Sequence, residues 1–158
     1  MNQVLSIKEF MQTAQGTFTI EMSQFINASA ETIYGILSDK AGLSEFMGCE
    51  IDGDLKTGAA IKFTWEMPEN AKDDNCSGVN GGTIVNMIEN RLLSFTWGDE
   101  NPERGLPWGS TLVEFKIEPE NDGCRVTILH YDLPSEEEAK NHQGGWSSFL
   151  EQNTGNWA

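Results

Sequence analysis

The chain has 158 residues and a formal net charge of −15, with a sequence pI near 4.3. That length suits one domain able to bury a core without disulfide or metal staples. A surface this acidic repels phosphate backbones and anionic lipid, so neither nucleic acid nor a membrane is an expected partner.

The opening MNQVLSIKEFMQTAQG has no basic start and no long apolar run, so it does not read as a secretory signal. No stretch reaches the roughly 20 apolar residues of a membrane helix. Cys49, Cys76 and Cys124 are odd in number, widely spaced and without a CxxC. Such a set reads as buried or free thiols in a reducing compartment, and the expected location is cytoplasmic. The acids have the simple role of keeping the domain soluble, and a basic protein partner stays open.

Residues 1–16 have weak helical potential around Ile7–Met11 and end in Gly16; they are taken as an N-terminal extension to a single domain over 17–158. From Thr17 the period is two. Phe18, Ile20, Met22 and Ile26 alternate with polar neighbours, which predicts a half-buried strand. Ser29 is placed to cap a short helix carrying Ile33, Tyr34, Ile36 and Leu37. Asp39 and Gly42 interrupt it, and a second short helix over about Lys40–Phe46 brings Leu43, Phe46 and Met47 to one side.

A meander follows. Strands are predicted at Cys49–Asp52, Ala60–Glu66, Gly82–Glu89, Leu92–Trp97, Thr111–Glu118 and Cys124–Tyr131. In Glu120-Asn121-Asp122-Gly123, glycine is expected to supply the positive φ of the hairpin corner. Successive turns of a meander fall at alternate ends of the sheet. The short turns near Thr57, Asn90 and Asp122 therefore share one end, and the long loops 67–81 and 98–110 share the other with the exit after Tyr131. Long loops gathered at one end of a rigid scaffold are where binding usually happens.

The last segment starts at Pro134-Ser135, with Ser135 and Glu138 at capping-box spacing. Ala139, His142, Trp146, Phe149, Leu150 and Asn153 then share one helical face. Gly144-Gly145 weakens this helix by roughly 1 kcal/mol per glycine against alanine. Glycine is tolerable there if another backbone or a bulky ring packs close, and Gly155 would end the helix.

Strand, two short helices, six-stranded meander and long final helix: this order resembles the START/SRPBCC superfamily, the birch-pollen-allergen-like fold. Within it the chain is similar to the branch named for the activator of heat-shock-protein-90 ATPase homologues. The segments that carry the resemblance are NASAETIYGILSD (27–39), GGTIVNMIENRLLSFTW (81–97), STLVEFKI with VTILH, and HQGGWSSFL (142–150). Phe46 stands where a tryptophan is common, Asn27–Ala30 lacks the frequent proline, and the final helix reads as short. The resemblance implies an α+β helix-grip fold, a curved antiparallel sheet wrapped around the C-terminal helix. It also implies a cavity between the two for an apolar or amphipathic small molecule; the short helix suggests an open one. Two alternatives come with it: a chaperone-associated stress protein acting through a protein surface, and a small polyketide cyclase or hydrolase-like enzyme.

The candidate cavity wall comprises Phe63, Trp65, Met87, Phe95, Trp97, Trp108, Val113, Phe115, Ile128, His130, His142, Trp146, Phe149 and Leu150. Trp108, in the Gly/Pro-rich RGLPWGS, is the expected mouth residue, with His130 near the same rim. For the other rings an ordinary core role competes with the cavity role. His130 and His142 with Asp132 can be imagined as a general-base set, but no serine or cysteine stands in a nucleophile context, and structural hydrogen bonding is the simpler reading. No catalytic residue is assigned. Two histidines without HxxxH or CxxC do not form a metal site, Asp73-Asp74-Asn75 lacks the spacing of a calcium loop, and Gly78, Gly81 and Gly82 lack the following GK[ST] of a phosphate loop. No metal or cofactor is expected.

Overall fold

The computed structural model describes residues 11–12, 17–66, 78–153 and 157. Cys76, Asp73-Asp74-Asn75 and most of the loop expected over 67–81 lie outside the described residues.

The elements run β1 (Met11–Gln12), β2 (Phe18–Ile26), α1 (Ala30–Leu37), α2 (Lys40–Met47), β3 (Glu50–Gly53), β4 (Ala60–Thr64), β5 (Val79–Ile88), β6 (Leu92–Trp97), β7 (Thr111–Glu120), β8 (Gly123–Leu133) and α3 (Glu136–Asn153). The strands form one curved sheet in the order β1-β2-β8-β7-β6-β5-β4-β3, every neighbour antiparallel. β2 joins the far end of the meander by pairing with β8, so the first long strand and the last lie side by side. Met11–Gln12 pairs with Phe18–Thr19 and adds a short edge, so the final part of the N-terminal segment joins the sheet.

Alternation sets the inner face. Ile20 and Met22 of β2, Phe95 and Trp97 of β6, Val113 and Phe115 of β7, and Ile128 and His130 of β8 are all buried on it. Local chemistry sets the ends of the helices. Ser29 accepts from the Thr32 N–H at 3.1 Å and Asp39 accepts from the Gly42 N–H at 3.0 Å, which starts α1 and α2. Ser135 does the same for the Glu138 N–H at 3.1 Å. The expected capping box is only half made, because the Glu138 carboxylate is engaged by Arg104.

The β7–β8 corner corrects a second expectation. Residue Asn121 takes the positive φ, 53°, as Asn90 does at the β5–β6 corner with 63°; asparagine tolerates this region through its short polar side chain. Gly123 already lies in β8 opposite Glu120. It is glycine for a different reason: a Cβ there would run into the Ile26 carbonyl.

The helix α3 packs against β2, β8 and α2, its buried face made by Ala139, His142, Trp146 and Leu150. It extends over 18 residues. Among the described residues no helix is long and apolar enough to cross a membrane. The Gly144-Gly145 pair is not explained by close packing, since a Cβ at either position would meet nothing within 4 Å. Gly144 faces outward, so Gly144→Ala gains helix propensity at no steric cost. It should raise unfolding stability by about 0.5–1 kcal/mol in urea denaturation; an unchanged or lower midpoint would contradict the placement of this residue in an unstrained helix.

Candidate functional site

The space between sheet and helix is mostly filled. Phe63, Phe95, Val113, Phe115, Ile128 and Leu150 are no more than 1% exposed. Their rings interlock: Phe63 lies 5.2 Å from Phe95, and Phe95 lies 5.5 Å from Phe115 at 87°. At the far end Trp157 sits 5.3 Å from Phe46, which in turn meets Phe115 and Phe149 at 6.0 Å. These positions, expected as cavity wall, are packed core, because each ring is covered by another ring.

Among the described residues a pocket of about 150 Å³ opens where β6 and the 98–110 loop approach α3. Its aromatic walls are Trp65, Trp97, Trp146 and Phe149, and its polar groups come from Asn80, Arg104, Asn141 and His142. Gly145 completes it, so the empty space beyond that glycine is the pocket itself. Of the residues expected from sequence, the structure brings Trp65, Trp97, His142, Trp146 and Phe149 together here. Met87 is half-buried on β5 away from the pocket, and Trp108 is not at its mouth. The Trp108 side chain is 44% exposed and lies over Gly81, at a distance only glycine allows. His130 is not on the rim either; it is fully buried.

The two histidines are locked by hydrogen bonds that determine their tautomers. The Thr111 hydroxyl donates to the Trp97 carbonyl at 2.8 Å, so toward His130 Nε2, also at 2.8 Å, it can only accept. The Nε2 of His130 therefore carries the proton, and its Nδ1 accepts from the Trp146 indole N–H at 3.0 Å. In His142 the pattern is reversed. Nδ1–H donates to the Glu138 carbonyl at 2.8 Å, and Nε2 accepts from the Trp97 indole N–H at 3.2 Å. The two imidazoles meet edge to face, 4.8 Å apart at 86°. The positive φ of Asp132, 68°, falls where β8 ends; its side chain is exposed, and His130 makes its bonds to Thr111 and Trp146 instead.

Protonation of either ring would put a second N–H against an indole N–H, that of Trp146 for His130 and that of Trp97 for His142. Burial pushes His130 well below the usual histidine value, and the nearby His142 adds to this. Burial also lowers His142; the Glu138 carbonyl and carboxylate and Asp99 oppose that, and Arg104 reinforces it. The unfolded chain, with histidines near about pH 6.5, then binds protons that the folded chain refuses. Stability is therefore complete above that pH and declines as the pH falls below it, by up to about 1.4 kcal/mol per pH unit for each histidine. Urea unfolding followed from about pH 7.5 down to about pH 5.5 should show this loss, and His142→Gln should make the slope shallower. A flat profile would mean that the rings are free to charge in the fold.

A charged clamp joins the loop to the helix. Arg104 follows Pro102 in a single 3-10 turn, and its guanidinium grips the Glu138 carboxylate through Nε at 2.9 Å and Nη2 at 2.8 Å. Nη1 bonds Asp99 at 2.8 Å. The side chains of Arg104 and Glu138 are 11% and 13% exposed, and that of Asp99 is 0% exposed. Removing Arg104 strands two carboxylates out of water. Arg104→Gln should cost about 2–4 kcal/mol in stability, whereas Lys140→Gln, which removes an exposed pair with Glu136 at 3.5 Å, should cost under about 0.5 kcal/mol. Equal costs for the two would contradict the clamp.

On the other side of Trp65 lies a more polar hollow of about 480 Å³ lined by Ser44, Cys49, Glu50 and Glu66 among others. Burial pushes the Cys49 thiol up to about 12, so it stays protonated at neutral pH and is no nucleophile. Among the described residues no group of histidine, cysteine and carboxylate side chains is arranged to hold a metal.

A curved antiparallel sheet gripping a C-terminal helix, with a small aromatic pocket at one end, defines the helix-grip class of proteins. The match to a family model goes further: residues 27–153 fit the family described as Activator of Hsp90 ATPase homolog 1-like protein, and the chain belongs to that family. Among solved structures it is similar to CalU16 from Micromonospora echinospora, with 22% identity over 90% of this chain and 78% of that one, and a TM-score of 0.67. It is similar to protein MLL2253 from Mesorhizobium loti at 16% identity, covering 84% and 91%, with a TM-score of 0.71. The Aha1 dimer from Colwellia psychrerythraea shares 22% identity over 86% and 92%, with a TM-score of 0.68. At these identities the likeness is one of fold. No curated protein matches.

Proposed function

We propose that the protein is a small-molecule-binding domain that holds an apolar or amphipathic ligand between the sheet and α3. The observation that carries this reading is the pocket itself. Aromatic walls enclose about 150 Å³, and apolar cavities of roughly that volume accept guests of benzene size. The ligand, or the part of it that enters, is therefore small. Pockets of this kind combine apolar walls with a few placed polar groups, and Asn80, Asn141 and Arg104 are candidates for the latter. The packed interior speaks against a ligand that fills the whole grip.

Gly145 offers a direct test because it lines the pocket and a Cβ added there meets nothing within 4 Å. Gly145→Leu projects a side chain into open space, fills the pocket and improves helix propensity by several tenths of a kcal/mol. Stoichiometric binding of an apolar fluorescent probe by the native chain, lost in Gly145→Leu while the melting temperature holds or rises, is the expected result. Equal probe binding by both would remove the pocket as the site.

A further inference from the structure

The pocket's chemistry narrows the class of ligand. Its four rings form a closed circuit: Trp65 to Trp97 at 5.9 Å, Trp97 to Trp146 at 5.4 Å, Trp146 to Phe149 at 5.6 Å, and Phe149 back to Trp65 at 6.4 Å. Every indole N–H in it is already spent. That of Trp65 goes to the Met47 carbonyl at 2.9 Å, that of Trp97 to His142 and that of Trp146 to His130. Both ring nitrogens of His142 are engaged as well. What these residues present to a guest is carbon and π surface.

The charged groups beside the circuit are of both signs and sum to a negative value. Arg104 reaches the pocket, but its guanidinium faces the carboxylates of both Asp99 and Glu138 at 2.8 Å, so the triad carries a net negative charge. The whole chain carries −15. An anionic guest would approach two carboxylates already paired with Arg104 on a chain of net negative charge. A cation meets the opposite situation, since aromatic faces attract positive charge through their quadrupole and do so best when the cation is shed of water.

We infer that the pocket takes a small organic cation, a quaternary or methylated ammonium group held against the rings of Trp65, Trp97, Trp146 and Phe149. The inference rests on the small-molecule-binding reading and names the ligand class for that same site. A methylated ammonium suits the walls because it carries its charge on a carbon surface and asks for few hydrogen bonds. The acidic exterior draws such a ligand in, and the aromatic circuit selects it from inorganic cations, which would not give up their hydration for π contact.

The test compares two probes of the same shape, choline and its neutral isostere dimethylbutanol, with benzoate as the anionic control. Binding is followed by NMR through the indole N–H signals of Trp65, Trp97 and Trp146, in native protein and in Phe149→Leu. That substitution keeps an apolar side chain and removes one π face at a half-buried position; Trp65→Leu repeats the test at the neighbouring ring of the circuit. Choline should bind at least about fivefold more tightly than dimethylbutanol, and either variant should shrink that preference while changing dimethylbutanol binding less than about twofold. Equal affinities, a preference for the neutral isostere or for benzoate, or a preference untouched by both variants would overturn the cationic class and leave the pocket in place. If neither probe moves the indole signals but the apolar fluorescent probe still binds, the cationic class falls alone. If none of them binds, the small-molecule reading fails and this inference with it.

Discussion

The indole N–H of Trp146 meets the Nδ1 of His130 at 3.0 Å in a place where water can replace neither partner, the histidine being fully buried and the tryptophan 2% exposed. Breaking that bond without substitution would leave a buried donor and a buried acceptor unmet, at about 1–3 kcal/mol each. The bond also continues on both sides. His130 passes its proton-bearing nitrogen to Thr111, Thr111 donates to the Trp97 carbonyl, and the Trp97 ring donates to His142 on the same helix as Trp146. Helix α3 is thus tied twice to the sheet, through β8 and through β6, by a chain of groups in which each donor has one acceptor. Apolar packing brings the helix to the sheet; this circuit determines its rotation and its position along the strands.

The same constraint shapes the pocket. The rings that anchor the helix also line the space, and their indole N–H groups are turned into the scaffold. Phe63, Phe95 and Phe115 fill the interior around them, and among the described residues the pocket lies where Gly145 contributes no side chain. The clamp of Arg104 on Glu138 and Asp99 holds the loop after β6 beside that space. Anchoring and shape therefore come from one small set of side chains, which keeps the pocket small.

The strands and helices were legible because their signals are local. Period-two alternation marked β2 and the meander, Ser29 marked the start of α1, and the arrangement of short and long turns pointed to the end of the sheet where the pocket lies. Half of the pocket was legible too, since Trp65, Trp97, His142, Trp146 and Phe149 stood out as large rings on inward positions. The remainder depends on pairing between distant residues. Whether Phe95 and Phe115 line a hole or fill it is decided by the rings opposite, and no spacing encodes that. Arg104 and Glu138 lie 34 positions apart, so neither looks unusual alone. Glu138 carried a capping signal, and the stronger bidentate partner won its carboxylate. Trp108 misled because a Gly/Pro-rich loop suggests a mouth; it is the missing Cβ of Gly81 that seats its ring on the outside of the sheet. Gly144-Gly145 suggested a close neighbour and instead borders empty space, a distinction that composition cannot make.

The hold of α3 on the sheet depends most on the buried histidines being neutral and in opposite tautomers. Nitrogen-15 NMR of the imidazoles reads this directly, through the shifts and two-bond couplings of each ring nitrogen. His130 should show a protonated Nε2 and a bare Nδ1, His142 a protonated Nδ1 and a bare Nε2, with both patterns unchanged as the pH is lowered well below about 6.5 while the protein stays folded. Averaged tautomers, or rings that titrate near that value in the folded protein, would contradict the circuit that holds α3 on the sheet.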